Sequence, residues 1–479
     1  MALTFTQHPI EAAIQTPVIT NWTPIVPYMV NKSSISGLFY YKFIMEIRET
    51  DVSGTLLAKI KQRKSSAVSG VTNVKCLFDV RDIINTNLET QIGASGYASS
   101  SIHIIGEANT SYIFSQNSSQ IKKIYVRVYE EYSSSASQPP IEQTGGAING
   151  TLFYIEASLP LGTARGTTYF QGTAFEGYRM VGTSSKVLSD IEKSYQKPNF
   201  INSPTTLVYR NYVRTKDYHT IAFINGETDF ESVAKYWKVE YFSKPGTSIA
   251  SYEFINQNSN GGANPLTASG EISSDSERLI YFGCGPANLE AYNDGGSNAH
   301  RPSNNAGWAY YSVHASETSG GSAKSDTYYF IKDDDNCKGF DIRRLAWRNS
   351  KGCYDYFNFK MKSTQTIDIK RNTYETMIGD YGRVLFEYST FKNGIEVRET
   401  SARVTETINT DFLNEAEANL LESLLVSTLV NVVQDGTATT YTVPVTIKDS
   451  KFIRKTIANN KLIQYTITIE YSQPLNTNS

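Results

Sequence analysis

"LFYYKFIMEIR", Leu38 to Arg48, places Phe39, Tyr41, Phe43, Met45 and Ile47 on one face of an extended chain. Alternation at every second residue marks a strand with one buried face, as antiparallel sheets require. "KIYVRVYEEY" (Lys123 to Tyr132) repeats the pattern, with Ile124, Val126 and Val128 set against Tyr125, Arg127 and Tyr129. Near the C-terminus "TYTVPVTIK" aligns Tyr441, Val443, Val445 and Ile447, and "LIQYTITIEYS" aligns Ile463, Tyr465, Ile467, Ile469 and Tyr471. Pro444 removes a ladder donor, so its strand is expected at an edge or a bulge.

Working outward, Asn149-Gly150, Asn225-Gly226, Asn393-Gly394 and Asp435-Gly436 read as hairpin turns between strands. Asn414 and Glu417 form a capping box before Leu420, Leu421, Leu424, Leu425 and Val426, which predicts a helix over about 415–429. "DVRDIINTNL" (Asp79 to Leu88) and "KVLSDIEKSY" (Lys186 to Tyr195) read as short helical turns. The predicted class is mainly β: two or three antiparallel sandwich-like domains, one longer C-terminal helix and a few short helices. The Ser/Pro/Gly-rich stretch from Tyr132 to Gly150 reads as a linker, giving domains over 1–138, 139–330 and 331–479. Asn256 to Gly270 and Asn293 to Gly307 read as exposed loops of the middle domain.

Composition narrows the function. The 479 residues carry a net charge of −2, 32 Tyr and 19% charged residues. Binding to nucleic acid through phosphates calls for a basic excess, so no direct sequence-specific nucleic-acid binding is expected. The densest basic stretch, Lys59 to Lys64, reads as a solvated hairpin end. Cys76, Cys284, Cys337 and Cys353 form no C-x-x-C pair and read as buried free thiols. The first seventeen residues lack the basic and apolar regions of a signal peptide. The most apolar run, Leu420 to Val433, is interrupted by polar residues, so no membrane span is expected.

His8, His103, His219, His300 and His314 have no metal-ligand spacing. "FGCGPANLE" (Phe282 to Glu290) lacks the third glycine of a phosphate cradle and reads as a turn with a helix opened by Pro286. "KDDDNCKG" (Lys332 to Gly339) departs from calcium-loop spacing and reads as a solvated turn. No G-x-S-x-G elbow occurs, and no carboxylate pair stands out. The chain is therefore expected to be neither an enzyme nor cofactor-dependent.

"LAWRNSKGCYDYFNFK" (Leu345 to Lys360) reads as a hairpin turning at Gly352. Its second strand puts Asp355, Phe357, Phe359 and Met361 on one side, read as core. Tyr354, Tyr356, Asn358 and Lys360 lie on the other, read as a contact surface. Tyr354 and Tyr356, with Trp308, Tyr310 and Tyr311 from the loop region, are the predicted interaction residues. The longer stretch "FDIRRLAWRNSKGCYDYFNF", followed by "IDIKRNTYE", resembles a recurrent block in virion structural proteins of tailed bacteriophages. Trp347, Asn349, Gly352, Tyr354, Asp355, Tyr356 and Phe357 match that block, and Cys353 stands where a small residue is expected. "CLFDVRDIINTNL", "IYFGCGPANL" and the C-terminal helix with its paired strands resemble further elements of the same family in the same order. The resemblance implies a tail, neck or collar component of a virion, assembled in the host cytoplasm. Such a component forms a symmetric homo-oligomeric ring or attaches fibres. Its implied partners are other copies, other tail or neck proteins, fibre proteins and host glycans. A receptor- or carbohydrate-binding protein on the particle is the alternative, and a polysaccharide-degrading enzyme the third reading.

Overall fold

The computed structural model describes residues 3–7, 18–20, 28–63, 74–88, 102–106, 113–116, 120–155, 157, 178–180, 185–190, 211–225, 234–256, 279–334, 339–377, 394–413, 415–433, 442–449, 463–475 and 477–478. They form a mainly β protein of several sheets, most of whose pairings are antiparallel. The chain divides into two compact units, Met1–Asp334 with Arg348–Asp355, and Asp335–Trp347 with Tyr356–Ser479.

The first unit begins with a sandwich. One sheet orders β1 (Leu3–Gln7), β3 (Tyr28–Lys32) and β6 (Val74–Phe78). The other orders β2 (Val18–Thr20), β9 (Ile141–Ile155), β8 (Ile121–Ser133), β4 (Phe39–Glu49) and β5 (Leu56–Arg63). Tyr41, Phe43, Met45 and Ile47 of β4 and Ile124, Val126 and Val128 of β8 share one core with Tyr28, Val30 and Phe78. The alternation read from Leu38 onward is thus the inner face of a sandwich from Tyr41 on, whereas Phe39 is 41% exposed, ahead of a register shift between Phe39 and Lys42. Helix α1 (Arg81–Asn85) follows β6, and its Ile84 enters that core.

A second pair of sheets follows. One orders β10 (Arg179–Met180), β12 (Thr220–Asn225), β15 (Leu279–Gly283) and β7 (Phe114–Gln116). The other orders β11 (Asn211–Val213), β17 (Tyr328–Lys332), β16 (Tyr310–Ser316), β13 (Tyr236–Phe242) and β14 (Ser248–Ile255). Trp237 packs between them on Phe223 at 4.7 Å and Phe282 at 5.6 Å between ring centroids. Pro286 opens α2 (Pro286–Ala291), as the sequence predicts.

The second unit is built on one sheet, ordered β19 (Tyr354–Phe359), β18 (Arg343–Arg348), β22 (Val430–Val433), β23 (Thr442–Ile447), β24 (Thr466–Tyr471), β21 (Ile395–Asn409) and β20 (Thr364–Glu375). β25 (Thr477–Asn478) pairs with β21. Helix α3 (Glu415–Val426) buries Leu420, Leu421 and Leu424. The Trp347 indole N–H donates to its Ser423 Oγ at 2.9 Å.

Several expectations change. The helix ends at Val426, three residues short of the predicted 429, because Val430–Val433 are taken up as a fully buried strand. Asn414 of the capping box lies outside the described residues. Tyr132 to Gly150 is no linker: the 138/139 boundary falls in the turn joining β8 to β9, which pair along one sheet. Asn149-Gly150 sits inside β9, where a Cβ on Gly150 would meet Val126 at 3.4 Å. The other three turn pairs, most of 256–270, Cys337 and residues 191–195 fall wholly or partly outside the described residues. Lys186 to Asp190 is irregular rather than helical.

Pro444 lies in an interior strand, paired with Asn431 of β22. Its carbonyl accepts from Ser472 N at 3.1 Å, so its missing N–H faces the end of β24, whose ladder starts at Val445. Lys59 and Lys61 lie on the edge strand β5, ion-paired with Glu142 at 2.7 and 2.9 Å. The loop over 293–307 is internally bonded: Asp294 Oδ1 accepts from Gly296 and Asn298 N, and Asn305 Nδ2 donates to Ala299 and Arg301 carbonyls.

Candidate assembly surface

The five aromatic residues predicted as a contact surface are all buried. Trp308 is 4% exposed, Tyr310 and Tyr311 0%, Tyr354 4% and Tyr356 2%. Tyr310 and Tyr311 lie on β16, which has a strand on either side and every residue buried. Tyr311 stacks on Phe330 at 4.8 Å and donates to the Cys284 carbonyl, while Tyr310 stacks on Phe242 at 4.8 Å. The Lys332 ammonium sits 4.8 Å from the Trp308 ring. Tyr354 packs edge-on to His103, and the Arg344 guanidinium lies over Tyr356 at 5.0 Å. The two faces of β19 also differ from expectation. Tyr354, Tyr356 and Asn358 are buried, and it is Phe357 that is half-buried.

The turn 348–355 is a polar clamp. Gly352 adopts φ 84°, a conformation glycine takes at no steric cost, and its carbonyl accepts from Gln120 Nε2. Asn349 Oδ1 accepts from Lys351 N at 3.0 Å and Cys353 N at 3.1 Å, and its Nδ2 donates to the Leu188 carbonyl and to Asp355 at 3.1 Å. Asp355 also accepts from Ser189 Oγ at 2.5 Å and Asp190 N at 3.0 Å. Asp190 in turn accepts from Ser350 N at 3.0 Å and Lys351 Nζ at 2.9 Å. Burial and then the neighbouring Asp190 push the Asp355 carboxyl up to about 7, against the pull of its three donors. Burial works to lower Lys351, but Asp190 and its neighbours hold it above the ordinary lysine range. Burial pushes the Cys353 thiol up to about 12, which leaves it no thiolate for nucleophilic chemistry at neutral pH. The clamp spends its polar groups on one another, so its chemistry is that of a fastening. Cys76, Cys284 and Cys353 are buried. Among the described residues no group of three or more His, Cys, Asp or Glu is placed to hold a metal ion. Nor is any helix there long and apolar enough to cross a membrane.

The exposed feature lies in the second unit. β20 and β21 form a long antiparallel ribbon, and all twelve residues of β20 are exposed. Its base is anchored by the buried Glu406, which accepts from Arg343 Nε at 2.8 Å, Tyr471 Oη at 2.7 Å and Gln365 Nε2 at 3.3 Å. Burial works to raise Glu406, and the Tyr471 and Arg343 donors hold it below the usual carboxylate range.

Beyond that anchor the two faces differ. The register pairs Ile367 with Val404 and Ile369 with Ala402, all on the face that carries Glu406 and the buried Ile408. Between Asn372↔Glu399 and Thr373↔Val397 the ladder skips Arg398. This bulge shifts the parity of β21, so Val397 and Ile395 join the same face opposite Thr373 and Glu375. Apolar side chains thus recur on this face from Ile367 to Ile395 over roughly 25 Å, interrupted at the Arg371–Thr400 pair. Ile367 is 50% exposed, Ile369 50%, Val397 51% and Ile395 69%. The opposite face is polar, with Asp368, Lys370, Asn372 and Tyr374 beside Arg403, Ser401, Glu399 and Glu396. There Asn372 donates to Glu399 at 3.0 Å and the Tyr374 hydroxyl to Glu396.

The resemblance that includes "IDIKRNTYE" does not point to the Ile367–Ile369 alternation within it. The available signal was an Ile-x-Ile pair amid charges, completed only by a bulge that the sequence does not reveal. No protein-family model matches the chain, and no match is found among curated proteins.

Proposed function

We propose that the protein is a non-enzymatic structural component of a tailed-bacteriophage particle, in the tail or neck, which acts by assembling with copies of itself and with neighbouring particle proteins into a symmetric ring or fibre-attachment site. The observation that carries the assembly reading is the amphipathic ribbon β20–β21, with its uncovered apolar row and a fully exposed edge strand. Open edges of this length invite pairing with another chain unless they are blunted. The resemblance around Trp347, Asn349, Gly352 and Asp355 supplies the particle. Receptor or glycan binding has no comparable support, since Trp308, Tyr310 and Tyr311 lie in the interior. Light scattering of the purified protein is expected to give a discrete oligomer, and electron microscopy of antibody-labelled particles is expected to place it at the tail or neck. A chain that stays monomeric throughout the micromolar range and is absent from purified particles would overturn this reading.

A further inference from the structure

We infer that the open edge of β20 pairs antiparallel with β20 of a second copy, about a two-fold axis through Ile369. The inference rests on the ribbon being an assembly surface and names its occupant. The backbone sets the first constraint. Thr376 N donates to the Gly394 carbonyl across the ribbon, so even-numbered residues of β20 direct their N–H and C=O toward β21. Odd-numbered residues, Gln365 to Glu375, therefore present theirs to the open edge. An incoming strand must match odd residues with odd, which also keeps the apolar rows of both copies on one face.

Side-chain charge selects among the registers that remain. A two-fold at Asp368 would oppose two carboxylates, one at Lys370 two ammonium groups, and one at Arg371 two guanidinium groups. A two-fold at Ile369 sets Ile369 against its own copy. It then places Asp368 opposite Lys370 twice, Ile367 against the aliphatic stem of Arg371, Thr366 opposite Asn372, and Thr364 opposite Tyr374. It also lies next to the middle of the strand, so nearly its whole length is paired. The charges of β20 are thus self-complementary at the register that gives the longest overlap. β5 is the contrast within the same chain: its charges, Lys59, Lys61 and Arg63, are all cationic, so a copy of itself meets repulsion. The β20 contact is isologous, one patch serving both copies.

The decisive experiment is charge reversal measured by sedimentation. Asp368→Lys alone and Lys370→Asp alone each oppose like charges twice, and each is expected to weaken self-association on the order of tenfold. An equimolar mixture of the two variants restores both ion pairs across the axis and is expected to associate as the wild type does. Ile369→Cys is expected to form a disulfide-linked dimer on mild oxidation, because directly opposed residues stand about 5.5 Å apart. Asp368→Cys, opposite Lys370, is not expected to do so. If the wild type assembles while both single variants match it, or the mixture fails to recover, this pairing is wrong and the assembly reading stands. A wild type that is monomeric at every concentration removes both.

Discussion

The turn at 348–355 and the ribbon β20–β21 are neighbours in sequence and opposites in physics. The turn is polar and buried, and its groups are satisfied within the first unit by Ser189, Asp190, Leu188 and Gln120. The ribbon carries Ile367, Ile369, Val397 and Ile395 with half or more of each residue exposed. Buried polar groups with complete partners fix one conformation and are costly to disturb. Exposed apolar groups contribute little to the folded monomer and await a partner. The difference teaches where to look for function in this chain: in the apolar residues that folding leaves uncovered, rather than in the aromatic residues that first draw attention.

The largest effect should come from the hairpin strand leading into the turn. Trp347 is fully buried, and its indole N–H bonds Ser423, whose own hydroxyl donates to the Leu420 carbonyl. Trp347→Ala is expected to destabilise the protein by about 3–5 kcal/mol through the cavity it leaves. Asn349→Ala comes next. It strips the acceptor from Lys351 N and Cys353 N and a donor from Asp355, at about 2–4 kcal/mol. Chemical denaturation measures both. A cost below 1 kcal/mol for Asn349→Ala would mean that the turn is not a clamp.

Each region also holds one buried carboxylate, and the two titrate in opposite directions. Asp355 is raised to about 7 in the folded protein, from about 3.9 in the unfolded chain. Its contribution to stability is fully present below the lower value and is lost as pH rises toward 7, with a slope of up to about 1.4 kcal/mol per pH unit. Glu406 is held below its ordinary value, so its contribution is present above about 4.3 and is lost as pH falls through the folded value. Thermal melts between pH 3 and 8 should therefore lose their decline toward neutrality in Asp355→Asn and part of their acid sensitivity in Glu406→Gln. The same slope in Asp355→Asn as in wild type would assign the pH dependence elsewhere.

How much of this was readable beforehand follows from the same contrast. Inward faces were legible where they alternate with polar residues: Tyr41, Phe43, Met45 and Ile47, and Ile463 to Ile469, lie as read, although Ile44 on the other face of β4 is buried too. β16 was not, since a strand covered on both faces loses its period, and Tyr310 and Tyr311 then look like surface aromatics. Gly150 reads as a turn residue but lies inside β9, paired with Val126 of β8. The ribbon was half legible. Ile367 and Ile369 alternate in the sequence, but Val397 and Ile395 have the wrong parity until the extra residue at Arg398 is known. A bulge is a property of the paired strand, set by its neighbour.

The apolar residues of the ribbon give the smallest effect on folding and the most specific one on assembly. Ile367→Thr and Ile369→Thr replace half-exposed side chains on a strand with good β propensity, so monomer stability should change by within about 0.5 kcal/mol. Deleting Arg398 removes the bulge and should keep Val397 and Ile395 opposite Thr373 and Glu375 on the apolar face, again with little change in stability because nothing there is buried. If the apolar row is the assembly surface, all three variants should melt like the wild type. Ile367→Thr and Ile369→Thr should then associate more weakly in sedimentation, while the deletion associates as the wild type does. The deletion is the control for the bulge itself, because it keeps every apolar residue on its face and removes only the extra one. Weaker association in the deletion variant would show that the local twist of the bulge shapes the contact as well as the apolar row. Unchanged association in all three would leave the uncovered row without a role and return the search to other surfaces of the chain.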